Sequence, residues 1–138
     1  MNANELTTDN WVRIKNLKDP IKRLVCIDEY LGKVDFLDGE DLITTSINNV
    51  LPIPLTAEML EKNGLKVRRR YIWERRDNYC CVKVHIAPKM EIEGEIFDEP
   101  PILLQVDTAT ISLNIFVDYV HELQNALRLC GVEKEITI

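Results

Sequence analysis

Through most of the first 50 positions apolar residues alternate with polar ones, the period of a half-buried strand. Trp11 to Ile14 puts Val12 and Ile14 on one side. Ile21 to Ile27 places Arg23, Val25 and Ile27 on one face and Leu24 and Cys26 on the other, a mixed pattern that predicts burial on both. Gly32 to Leu37 aligns Val34 with Phe36, and Leu42 to Thr45 begins a return strand. Asp38-Gly39 between them signals a hairpin, because glycine accepts the positive φ such turns require. Leu17 to Pro20 reads as a polar turn, and Ser46 to Asn49 as a turn or one short helical turn. Val50-Leu-Pro-Ile-Pro-Leu55 must be extended, since each proline lacks a donor N–H and disfavours helix in its predecessor. It is an edge strand or a polyproline connector. Five short strands in about 50 residues predict a small, strongly bent, SH3-like β unit over residues 1–55.

The pattern then changes. Thr56 fits a helix N-cap, with Glu58 opposing the positive helix end. Ala57 to Asn63 is a short linking helix with Met59 and Leu60 buried, stopped by Asn63-Gly64, with Leu65 packing back on the last turn. Val67 to Arg75 alternates as one strand. Tyr79 to Ile86 sets Cys80, Val82, Val84 and Ile86 on a core face and Tyr79, Cys81, Lys83 and His85 on a wetter one. Ala87 to Pro101 is acidic and broken by prolines, an excursion holding at most a hairpin or strand around Ile92 to Phe97. Ile102 to Val106 and Ile111 to Ile115 are further strands. The fold class is therefore α+β. Residues 56–138 form a helix, an antiparallel sheet and a covering C-terminal helix, either as a second unit or fused with the first into one compact domain.

Val117 to Gly131 carries the clearest helical period. Phe116, Tyr119, Val120, Leu123, Ala126, Leu127 and Cys130 fall within roughly 120°, the width of a core-facing stripe. Asp118, His121, Glu122, Asn125 and Arg128 cover the other side, with Gln124 at the edge. The stripe predicts a helix covering a sheet. Asp118, His121, Asn125 and Arg128 are a candidate partner face, or His121 fixes the helix to the first unit by a hydrogen bond. Beyond Gly131, Ile136 and Ile138 alternate as an edge strand that docks the tail.

Composition narrows the classes. Across 138 residues, 46% apolar and 29% charged side chains describe a globular chain. A net charge of −6 argues against nucleic acid as the main partner. No apolar run approaches the roughly 20 residues of a membrane helix, and the polar N-terminus lacks a signal-peptide core, so a cytoplasmic protein is expected. Cys26, Cys80, Cys81 and Cys130 lack Cys-x-x-Cys spacing and read as reduced apolar side chains, not zinc ligands.

Candidate chemistry is sparse. His121-Glu-Leu-Gln-Asn125 begins like the zinc protease motif, but Asn125 replaces the second histidine, and two histidines at i and i+4 are what hold the metal. The other histidine is His85, and nothing singles out a cysteine nucleophile for it. There is no Gly-x-Ser-x-Gly and no phosphate-cradling glycine loop. No catalytic residue, metal or cofactor is assigned, and the expectation is a non-enzymatic protein. Lys66 to Arg76 holds six of the 17 basic residues. As one strand it would align Arg69, Tyr71, Trp73 and Arg75, a candidate face for single-stranded nucleic acid. The competing reading makes Tyr71 and Trp73 core and pairs the arginines with the acidic stretch Glu91 to Glu99.

Three segments carry a family likeness: Glu5-Leu6 with Asn10-Trp11-Val12, Ile53-Pro-Leu-Thr-Ala-Glu-Met-Leu-Glu-Lys-Asn-Gly64, and Tyr119-Val-His-Glu-Leu-Gln-Asn125. The chain resembles a family of small uncharacterised proteins of gut anaerobic bacteria and their prophages, in which these motifs recur in this order. Leu65 stands where an aromatic follows the glycine in that family, and Cys130-Gly131 replaces a Thr-Gly ending. The resemblance implies a bacterial, cytoplasmic, mobile-element-encoded protein and supplies no reaction or cofactor. The resulting expectation is an accessory or adaptor protein acting by protein–protein interaction. Single-stranded nucleic-acid binding through residues 68–76 is the alternative.

Overall fold

The computed structural model describes residues 1–69, 71–77, 79–86, 90–92, 94–97, 102–132 and 135–138. The chain is an α+β protein whose strands pair antiparallel. It divides into two units: Met1–Pro54 with Tyr119–Asn125, and Leu55–Asp118 with Ala126–Ile138.

In the first unit the alternating runs become β1 (Trp11–Ile14), β2 (Ile21–Asp28), β3 (Lys33–Asp38), β4 (Asp41–Ser46) and β5 (Val50–Leu51). Their order is β4-β3-β2-β1-β5, so the chain meanders outward and returns beside its first strand. Gly39, at φ 66°, turns β3 into β4. A 3-10 turn, Ile47–Asn49, capped by the Ser46 hydroxyl, leads into β5. Leu6, Val12, Ile14, Leu24, Val34, Phe36 and Val50 form the core, with Met1, Leu17, Ile27 and Ile47 against it. Burial of β2 on both faces is not what forms. A bulge between Leu24 and Cys26 shifts the alternation. Before it Lys22 and Leu24 point inward; after it Ile27 does, leaving Val25 and Cys26 outside. Lys22 survives burial because its ammonium reaches Asp38 at 3.0 Å.

In the second unit, α1 (Ala57–Lys62) starts at Thr56, whose hydroxyl accepts from the Met59 N–H at 3.3 Å. It ends at Gly64, φ 84°, where Gly64 and Leu65 N–H groups turn back onto Glu61 and Leu60 carbonyls. Leu60 is buried and Met59 half-buried. There follow β6 (Lys66–Arg69), β7 (Ile72–Asp77), β8 (Cys80–Ile86), β9 (Met90–Ile92), β10 (Glu95–Phe97), β11 (Ile102–Thr108) and β12 (Ser112–Phe116). The large sheet has the order β12-β11-β8-β7-β6, while β9 and β10 pair with each other. The inner face carries Val82, Val84, Ile102, Leu104 and Val106, all buried.

The last helix, α2 (Val120–Leu129), buries Val120, Leu123, Ala126 and Leu127, as its period predicts. Phe116 departs from that stripe. It is the final residue of β12 and 64% exposed, because the helix begins four positions later. Residues Tyr119–Asn125 group with the first unit because their side chains bond to its N-terminal segment, described below. The tail docks, but through a side chain and not as an edge strand. Thr137 exchanges two hydrogen bonds with the Asn63 amide, at 2.7 and 2.8 Å, and Ile136 is buried.

Candidate functional site

Four groups of chemistry-bearing side chains stand out, and the polar side of α2 comes first. Asn125 Oδ1 accepts from Thr7 Oγ1 and from Asn10 Nδ2, each at 2.9 Å, while Asn125 Nδ2 donates to the Glu5 carbonyl at 3.0 Å. Gln124 accepts from the Trp11 N–H at 2.9 Å and donates to the Asp9 carbonyl at 3.1 Å. Asn10 is fully buried, and its own Oδ1 accepts from the Thr7 N–H at 2.8 Å. These amides satisfy backbone groups of the segment leading into β1: the Glu5 and Asp9 carbonyls and the Trp11 N–H.

His121 is 2% exposed and stacked on Tyr119, with ring centroids 5.9 Å apart. Its Nδ1 is buried with no hydrogen-bond partner. Burial pushes the imidazole pKa below its ordinary value, against a smaller upward pull from Glu5. The proposed open partner face is therefore corrected at two of its members. His121 and Asn125 are turned into the first unit, and only Asp118 and Arg128 are exposed. A helical wheel sorts residues by polarity. It cannot tell a side chain solvated by water from one solvated by another segment's backbone.

The second group is the basic stretch. It is a hairpin, not one strand: Arg69 pairs with Ile72, and Tyr71 sits at φ 66° in the turn. Trp73 lies opposite Val84 and Arg75 opposite Val82, on the inner side of the sheet, whereas Arg69 shares the outer side with Ile72. Arg69, Tyr71, Trp73 and Arg75 consequently do not share a face. The Trp73 indole N–H donates to Glu61 at 3.3 Å, and Arg75 pairs with Asp77 at 3.6 Å. Of the described arginines, Arg68, Arg75 and Arg76 find carboxylates within the hairpin. Arg68 and Arg76 both reach Glu74, at 3.3 and 3.2 Å. Of the acidic stretch first matched to them, Glu93, Asp98 and Glu99 lie outside the described residues.

The third group is the outer face of the same sheet. Register sets Lys66, Glu74, Lys83, Gln105 and Asn114 in one row across the strands. Arg69, Ile72, His85, Leu103 and Phe116 form the next row, and Arg76, Cys81, Asp107 and Ser112 another. His85 Nε2 lies 2.7 Å from Gln105 Oε1. The Cys81 thiol donates to Glu74 at 3.3 Å. That hydrogen bond, with Arg68 and Arg76 beside it, outweighs desolvation and holds the Glu74 carboxyl below its usual pKa. Alternation had set Lys83 and His85 on the wet side, but only strand pairing shows which residues stand beside them.

The fourth group is an open cavity of about 630 Å³ in the second unit, reached by Arg75, Asp77, Cys80 and Cys130. Burial raises the pKa of Cys80 and Cys130, keeping both thiols protonated and poorly nucleophilic. Among the described residues no cluster of three or more histidine, cysteine or acidic side chains comes together to hold a metal ion, and no helix is long and apolar enough to cross a membrane. Compared with known proteins, the chain matches no family model, no curated protein and no solved structure.

Proposed function

We propose that the chain is a non-enzymatic adaptor that takes up an extended peptide segment of a partner protein along the edge strand β4. The observation carrying this reading is the chemistry of that edge. β4 ends the first sheet, and Asp41, Leu42, Ile43 and Thr44 are all exposed. Leu42 is 58% exposed and stands opposite Leu37, itself 52% exposed. An edge strand offers backbone donors and acceptors to an added strand, and soluble proteins ordinarily blunt such edges with lysine or proline. Here it carries leucine and isoleucine on its two sides. A peptide with apolar residues at alternate positions would gain both main-chain bonds and apolar burial.

An SH3-like reading of the first unit belongs to the same proposal. The meander β4-β3-β2-β1-β5 and the 3-10 turn before β5 support it. The sequence resemblance to gut-bacterial and prophage proteins is the reason to look for that partner in a bacterial cell. The test is selection of displayed random peptides against the intact protein, followed by backbone hydrogen exchange of the complex. Expected are β-prone peptides with alternating apolar residues that protect amides within Asp41–Ser46 and no longer bind the Leu42→Lys/Ile43→Lys variant. Failure to enrich any peptide, or protection confined to other strands, would overturn the reading.

A further inference from the structure

The outer face of the second sheet concentrates positive charge on an acidic chain. Lys66, Arg68, Arg69, Arg76 and Lys83 all belong to it, against the carboxylates of Glu74 and Asp107. The whole chain carries −6. Such a local reversal is not needed for solubility, which the remaining surface supplies.

The charges also stand in order. Lys66, Arg69 and Arg76 lie toward the β6–β7 side, and Arg68 and Arg76 are splayed apart on the two oxygens of Glu74, leaving each side chain more than 60% exposed, at 69% and 67%. Glu74 itself is only 8% exposed, so the carboxylate works from beneath as an anchor and its charge is covered by the guanidinium groups. Across the sheet, Gln105 and Asn114 continue the row of Lys83 with amide groups. The adjacent row ends in the Phe116 ring, 64% exposed, with His85 two strands away.

We infer that this face is a binding platform for single-stranded nucleic acid: phosphates on the Lys66–Arg76–Lys83 side, and unpaired bases on Phe116 and the Gln105 and Asn114 amides. Five strands spaced about 4.8 Å apart make a surface about 19 Å wide, enough for a few splayed nucleotides. Open sheets read single strands in this way, with exposed rings stacking bases and flanking cations holding the backbone. A duplex keeps its base faces stacked inside and offers Phe116 nothing to stack on. An acidic peptide would answer the charge but leave the ring and the amides unused. The inference rests on the second unit alone and is independent of the β4 edge.

The test is fluorescence anisotropy with labelled 20-nucleotide mixed-sequence DNA and RNA single strands, run on the intact protein at low and moderate salt. Binding should weaken as salt rises. Lys66→Glu/Lys83→Glu should abolish it, and Phe116→Ala should weaken it about tenfold while leaving the salt dependence nearly unchanged. These side chains are outside the core, and circular dichroism with the melting temperature verifies that each variant is folded. Should a charge-reversed variant fail to fold, Lys66→Gln/Lys83→Gln replaces it, with the same direction expected. No binding at low salt overturns the inference. So does equal affinity for duplex, competition by polyglutamate as effective as by unlabelled oligonucleotide, or affinity indifferent to both the lysine and the Phe116 changes.

Discussion

Asn10 Nδ2 donates to Asn125 Oδ1 at 2.9 Å, joining side chains 115 positions apart. The same oxygen accepts from Thr7, and Asn10 is fully buried. Asn125→Ala therefore takes this acceptor from the buried Asn10 Nδ2 and removes the bonds to the Thr7 hydroxyl and the Glu5 carbonyl. Leaving a buried polar group unsatisfied costs about 1–3 kcal/mol. Chemical denaturation of Asn125→Ala, Asn10→Ala and the double variant should give single losses in that range and a non-additive double, since the partners share one bond. Strict additivity would show that the pair is not energetically linked.

His121 makes stability depend on pH. Its folded pKa lies below the ordinary 6.5 because burial disfavours the imidazolium. The unfolded chain thus takes the proton first. The contribution is complete above about pH 6.5 and is lost as pH falls through the lower folded value. The buried Nδ1 has no partner to lose, so His121→Phe should keep or raise the melting temperature at pH 7.5 and flatten its fall between pH 7 and 5. An unchanged slope in that window would assign the acid sensitivity to other groups.

Asn63 acts as a clasp. Its amide donates to Met59 and Thr137 carbonyls, at 2.7 and 2.8 Å, and accepts from the Thr137 N–H at 2.7 Å. Asn63→Leu keeps much of the bulk and removes all three bonds. It should release the last residues, read as early carboxypeptidase trimming and lost exchange protection at Thr137, with a cost of about 1–3 kcal/mol. Asn63→Asp should fail similarly, since a carboxylate cannot donate to the two carbonyls.

The cysteines should react in order of access. Cys26 is exposed, Cys80 and Cys81 are intermediate, and Cys130 is buried. Burial raises the pKa of the last three, so fewer thiolates form among them. Timed iodoacetamide labelling with peptide mass spectrometry should find Cys26 modified first and Cys130 last. Early labelling of Cys130 would mean that the end of α2 opens readily.

The local elements are legible along the chain, because local elements follow short-range rules. Alternation gave β1 to β4 and β8, Thr56 and Gly64 marked both ends of α1, Gly39 marked the hairpin, and the helical period placed Val120, Leu123, Ala126 and Leu127 inside. That legibility ends where a neighbour in space overrules the local pattern. The bulge after Leu24 reverses the facing of β2, and a turn at Tyr71 carries no glycine or asparagine to announce it. Which groups the polar residues meet depends on long-range packing. His121 and Asn125 look solvent-facing on a wheel, yet Asn125 bonds to the chain near Glu5 to Asn10, and His121 is buried with Tyr119 stacked on it. Lys66, Lys83, Gln105 and Phe116 are scattered over 51 positions and become neighbours only through strand register, which depends on long-range pairing that no short window contains.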